Sequence, residues 1–137
     1  MRDILMDIYN VLTVDDYIAE HVGTRIRFND FPDVETINEP YIVIDEIDDP
    51  LPLEYADNDN LALSYLVQID VYTKVKSGVN ARLLRDEISY RIARLLKEKL
   101  GMTNTSNAKP EYDREFNLYR SARRYEGVFY REEINLN

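Results

Sequence analysis

Between Leu61 and Gly101 the hydrophobic period changes once, and that change constrains the fold more than any other feature of the chain. Leu61, Leu63, Tyr65, Val67, Ile69, Val71 and Thr73 alternate with Ala62, Ser64, Leu66, Gln68, Asp70, Tyr72 and Lys74, which gives one wall of a half-buried strand. A turn follows at Ser77 and Gly78. Leu84, Ile88, Ile92 and Leu95 or Leu96 then share one side of a helix, with Arg82, Arg85, Arg91, Arg94 and Lys97 elsewhere on it. A half-buried strand followed directly by an amphipathic helix predicts a sheet covered by that helix.

The 137 residues, 45% of them hydrophobic, are enough for a real core and predict one domain over residues 1–137. A formal charge of −9 gives the chain nothing to gain from releasing phosphate counterions, so neither sequence-specific nucleic-acid binding nor an anionic membrane surface is expected. Cysteine is absent, which removes disulfides and thiol chemistry and suits a reducing compartment. Asp3 and Asp7 interrupt the apolar pattern of the first twelve residues, unlike a signal peptide, and no apolar run approaches membrane-spanning length. The expectation is a soluble protein made in the cytoplasm. Eleven tyrosines and no tryptophan supply aromatic bodies with hydrogen-bonding tips, suited to strand faces or to surfaces buried on assembly.

Ile4, Leu5, Ile8, Val11 and Leu12 predict an opening amphipathic helix, and Asp15 to Val22 a second, capped by Thr13 or Asp15 and ended by Gly23. Strands are predicted over Thr24 to Phe28 and Tyr41 to Ile44, separated by a loop carrying two prolines. From Asp45 to Asn60 there are Asp45, Glu46, Asp48, Asp49, Glu54, Asp57 and Asp59 around Pro50 and Pro52, and no Lys or Arg. This composition reads as a long acidic loop at 45–60, or a projecting hairpin. After the main helix, Thr103 to Pro110 reads as a polar connection and Phe116 to Glu132 as a last strand or hairpin, with Gly127 marking a bulge or close backbone approach. The expected fold is therefore α+β in the order α-α-β-β-β-α-β: a mostly antiparallel sheet of about four strands with helices on one face.

No catalytic constellation stands out. His21 is the only histidine, and near a helix C-terminus it complements the helix dipole. Zinc would need more His or Cys than the chain has. Asp57-Asn58-Asp59-Asn60 offers oxygen ligands, but an EF-hand counted from Asp57 would place Ala62 and Gln68 where glycine and glutamate are required. Asp45, Asp70 and Lys74 imitate the acidic pair and lysine of a metal-dependent nuclease, although Tyr72 stands where the second acid of such a site belongs. No catalytic residue, metal ligand or cofactor is assigned. One asymmetry remains. The acidic stretch has a counterpart in Arg114, Arg120, Arg123, Arg124 and Arg131, and an acidic loop of one copy meeting the basic strand of the next would make a head-to-tail contact that rotation can close. The interface residues expected on this basis are Asp57, Asp59, Arg123, Arg124 and Arg131.

The segments PYIVIDEIDDPLPLEYADND, YLVQIDVYTKVKSGVNARLLRDEI and YDREFNLYRSARRYEGVFYREE resemble a family of small proteins of tailed bacteriophages and of prophages in Gram-positive bacteria. That family is similar to the tail completion, or tail terminator, proteins of long-tailed phages. The resemblance spans roughly residues 26–133 and rests on the whole arrangement. It implies an α/β protein without enzymatic activity that assembles as a hexameric ring at the head-proximal end of the tail. Its implied partners are the major tail protein and the head-tail connector, with DNA passing through a lumen that an acidic loop would suit. The implied location is the host cytoplasm during assembly and then the head-tail junction. A head-side adaptor or stopper, a small cytoplasmic binding module and the metal-dependent nuclease are the alternatives.

Overall fold

The computed structural model describes residues 2–56 and 59–130. Helix α1 (Ile4–Thr13) starts at Asp3, whose carboxylate accepts the Met6 N–H at 3.1 Å. Helix α2 (Asp16–His21) is capped in the same way by Asp15, which accepts from Ile18 N–H at 3.1 Å. Each cap occupies one of the otherwise unpaired donors of a first helical turn. Strand β1 (Ile26–Phe28) follows, then a single 3-10 turn (Val34–Thr36), the long strands β2 (Tyr41–Ala56) and β3 (Asp59–Lys74), and helix α3 (Ala81–Leu100). Gly101, at φ 65°, closes α3 in the left-handed conformation, and the Met102 N–H reaches back to the Leu96 carbonyl. The chain ends in β4 (Thr103–Asn107), β5 (Glu111–Asp113) and β6 (Leu118–Tyr130).

The strands form one mixed sheet in the order β1-β2-β3-β6, with β4 and β5 lying one after the other along the outer edge of β6. β1 joins β2 in parallel; the other neighbours are antiparallel. The fold is α+β, as expected, but the sheet has six strands and not about four, and three strands follow α3 in place of one. β4 escaped prediction because its five residues are polar and almost entirely exposed, so that its backbone pairing, not a buried face, holds it in place. All three helices cover one face. Ile8, Leu12 and Ile18 from α1 and α2 meet Ile88, Ile92 and Leu96 of α3, and together they cover Ile42, Ile44, Val67, Ile69, Val71, Tyr125 and Phe129 of the sheet. The alternating wall of β3 and the apolar face of α3 are those the sequence period predicts. Ser89 of α3 and Ser121 of β6 share a buried hydroxyl–hydroxyl hydrogen bond of 2.7 Å at this contact.

The stretch expected as an acidic loop is, through Ala56, the second half of β2, so the alternative of a projecting hairpin describes it better. Prolines are tolerated in it for a positional reason. β1 pairs with β2 only as far as Ile44. Asn29 then extends the edge by one step, its side-chain oxygen accepting the Glu46 N–H at 2.8 Å and its amide donating to the Glu46 carboxylate at 3.0 Å. Beyond that, the outer edge of β2 has no strand partner among the described residues. Register shifts between Glu46 and Asp48 and between Asp48 and Leu51 bend it further. Proline and charge are the residues that edge strands and bulges accept.

Candidate functional site: the open sheet face and the acidic arm

The face of the sheet away from the helices carries a polar network with one fully buried charge. Alternation puts Gln68, Asp70 and Tyr72 of β3 on this face beside Arg120, Ala122 and Arg124 of β6. Asp70 is 0% exposed. Arg120 donates to its Oδ2 through Nε at 2.9 Å and also through Nη2, while Gln68 Nε2 donates to Oδ1 at 2.9 Å. Arg120 also reaches Glu111 of β5 at 3.2 Å, and its guanidinium lies 5.6 Å from the Tyr72 ring centroid and 5.8 Å from that of Phe31. Arg124 donates to Gln68 Oε1 at 3.3 Å. A smaller apolar cluster of Ile37, Val43, Tyr72 and Leu118 packs beside this network. Burial pushes the Tyr72 hydroxyl up to about 12, and burial, with the Asp70 charge second, raises the Asp45 carboxyl above its ordinary value.

This network is chemically closed. A carboxylate that already accepts three N–H groups has little capacity left to bind an ion. The nuclease-like trio is accordingly not assembled: Asp70 is engaged by Arg120, Lys74 donates to the Phe116 carbonyl, and Asp45 lies opposite Gln68, well inside a strand that continues to Ala56. His21 sits in the last turn of α2 with its ring 4.5 Å from that of Tyr17. Among the described residues no group of three or more His, Cys, Asp or Glu is placed to hold a metal ion. A cleft beside the bulged part of β2 is lined by Asp3, Leu5, Glu46, Asp48, Pro50 and Tyr65. The Tyr65 hydroxyl is buried there without a hydrogen-bond partner among the described residues.

Asp57 and Arg131, expected at an interface, lie outside the described residues. Asp59 begins β3 opposite Ala56, at the end of the hairpin. Arg123 and Arg124 are consecutive in β6 and therefore point to opposite faces. Arg123 shares the side of Ser121 and Tyr125 under the helices, and Arg124 the open side. Arg120 is committed to Asp70, and Arg114 sits in the turn between β5 and β6. Among the described residues, the arginines near the C-terminal strand thus do not converge on one surface. Exposed cations concentrate instead on α3, where Arg82, Arg91, Arg94, Lys97 and Lys99 face solvent. The helical period alone sets Arg82, Arg91, Arg94 and Lys97 away from the apolar side of α3, but it does not single them out as a site. The signal was available, because α3 holds six of the chain's 17 Lys and Arg. The Asp70–Arg120 pair was also missed, because its partners are 50 positions apart and neither has an unusual neighbour in sequence.

No family model matches this chain, and no curated protein matches it. No helix among the described residues is long and apolar enough to cross a membrane.

Proposed function

We propose that this chain is a structural protein of a tailed phage or prophage: a tail completion or terminator protein that joins tail to head as a ring-forming adaptor at the head-proximal end of the tail. The reading takes its family from the resemblance of three segments, and one structural observation carries it further. The β2–β3 hairpin continues to the pairs Tyr55–Asn60 and Ala56–Asp59, and beyond Glu46 the outer edge of β2 has no strand partner among the described residues. Its exposed acids Glu46, Asp48 and Asp49 form no ion pair among the described residues. A strand edge left unpaired within its own protomer is open to contact with a neighbour.

In this role the chain makes and breaks no bonds. Copies of it assemble in the host cytoplasm as a closed ring, hexameric by the resemblance, and contact the major tail protein on one side and the head-tail connector on the other. The overall negative charge suits a lumen through which DNA slides without adhering. Negative-stain microscopy of the purified full chain, with sedimentation velocity on the same sample, tests the proposal. Annuli of one diameter are expected; a monodisperse monomer at high protein concentration would overturn it.

A further inference from the structure

We infer that the solvent-facing side of α3 is the docking surface for the acidic β2 arm of a second copy of this chain. The inference rests on the ring-forming reading and names the surfaces that would meet. α3 carries Arg82, Arg85, Arg91, Arg94, Lys97 and Lys99 against Asp86, Glu87 and Glu98, a net positive helix in a chain of formal charge −9. Its three acids are already engaged: Asp86 with Arg85 at 3.0 Å, Glu87 with the Tyr17 hydroxyl at 3.1 Å, and Glu98 with Arg94 at 2.8 Å. Arg82 and Lys99 form no ion pair among the described residues, and Lys97 donates only to the neutral Thr103 hydroxyl, at 3.2 Å.

The middle of this face also offers apolar area. Tyr90 is 61% exposed and Leu83 47%, in line with Arg94 and Lys97 along the side of the helix opposite Ile88 and Ile92. Tyrosine and arginine are the residue types enriched at interface centres, and Tyr90 lies beside Arg94 here.

The occupant follows from charge. From Asp45 to Ala56 the β2 arm has five carboxylates and no Lys or Arg. It also offers Leu51, 60% exposed, beside its acids, to meet Tyr90 and Leu83. Within a protomer, α3 lies over the helix-covered face of the sheet, whereas beyond Glu46 the outer edge of the arm has no strand partner among the described residues, so each protomer keeps both surfaces available to neighbours. Because the two surfaces differ, the contact is heterologous, and its repetition closes a ring if the rotation between copies allows it. Arginine forks on α3 and carboxylates on the arm suit each other bidentately.

Two double reversals test the assignment, Arg94→Glu with Lys97→Glu and Asp48→Lys with Asp49→Lys. All four positions are exposed. Circular dichroism and thermal melts verify that each variant folds before association is followed by sedimentation velocity at low and high salt. Each double variant is expected to weaken self-association by at least about tenfold. An equimolar mixture of the two is expected to restore it, because each variant arm then finds an α3 face of opposite sign. The control reversal Arg124→Glu is expected to leave association unchanged. A wild-type chain that stays monomeric overturns the ring reading and this inference together. A wild type that assembles, with both double variants assembling equally well, overturns only the assignment of surfaces. Loss of assembly in the α3 variant alone overturns the arm as occupant and points to other carboxylates. Failure of the mixture to recover overturns the direct pairing of the two surfaces.

Discussion

Asp70 and Arg120 meet diagonally across β3 and β6, the carboxylate wholly inside the protein and the guanidinium about one-third exposed at its rim. That asymmetry gives the two partners different mutational costs. Replacing Arg120 with Met leaves a buried, uncompensated carboxylate and is expected to cost about 3–5 kcal/mol of stability. Asp70→Asn keeps a hydrogen-bonding group in place and leaves Arg120 with Glu111 and the two aromatic rings, so its cost is expected to be smaller, about 1–3 kcal/mol. Urea denaturation of the two variants at neutral pH gives the comparison; equal costs would contradict it.

Gly127 is fixed by packing and not by backbone conformation. A Cβ there would stand 2.8 Å from Met102 Cγ and 2.9 Å from Phe129 Cε2. Gly127→Ala is therefore expected to destabilise the protein by about 1–3 kcal/mol. Combining it with Met102→Ala removes one of the two clashes, so the double variant is expected to lose less than the sum of the single costs. Thermal melts of the three variants measure that coupling.

Asp15 caps α2 and also pairs with Arg91, which ties α2 to α3. The hydrogen bond from Arg91 is the main cause that holds its carboxyl below the usual value of 3.8. Its stabilising contribution is complete above that usual value and disappears as pH falls through the lower value of the folded state. Asp15→Ala is expected to cost about 0.5–2 kcal/mol at neutral pH from the lost cap alone. The gap between wild type and variant should narrow as pH falls below 3.8, and stability curves measured from neutral pH to strongly acid solution check it.

Pro50 and Pro52 help protect an edge. Replacing both with Val restores two backbone donors on a strand whose outer side lacks a strand partner among the described residues, and it raises local β-propensity. The double variant is expected to retain its fold and to aggregate faster at high concentration, as measured by light scattering. Adding Asp49→Val should accelerate aggregation further by removing a charge from the same stretch.

Much of the architecture was legible because β3 and α3 bury continuous stripes, and a buried stripe imposes its period on the sequence. Asp15 was legible as helix punctuation because a cap is a local feature, and Gly127 as a close approach. β2 was cut short at Ile44 because a one-sided edge strand tolerates prolines and acids that an interior strand would exclude, so its second half resembles a loop. β4 left no pattern because it buries almost no side-chain surface. The candidate surfaces were only half legible. The acidic block could be seen as a run of letters, but the arginines of β6 looked like a patch in one dimension. A strand places consecutive residues on opposite sides, and one of those arginines turned out to serve an internal carboxylate.

The hydroxyl pair between Ser89 and Ser121 carries a consequence for how neighbours would perceive this molecule. The close-packed aliphatic contacts around it already resist rolling of the helix, and a hydrogen bond between two short side chains adds a further restraint on its rotation. With its azimuth pinned, α3 presents the same row of groups to the outside in every copy. A repeating assembly needs that uniformity, since an angular error at one joint would multiply around the circle.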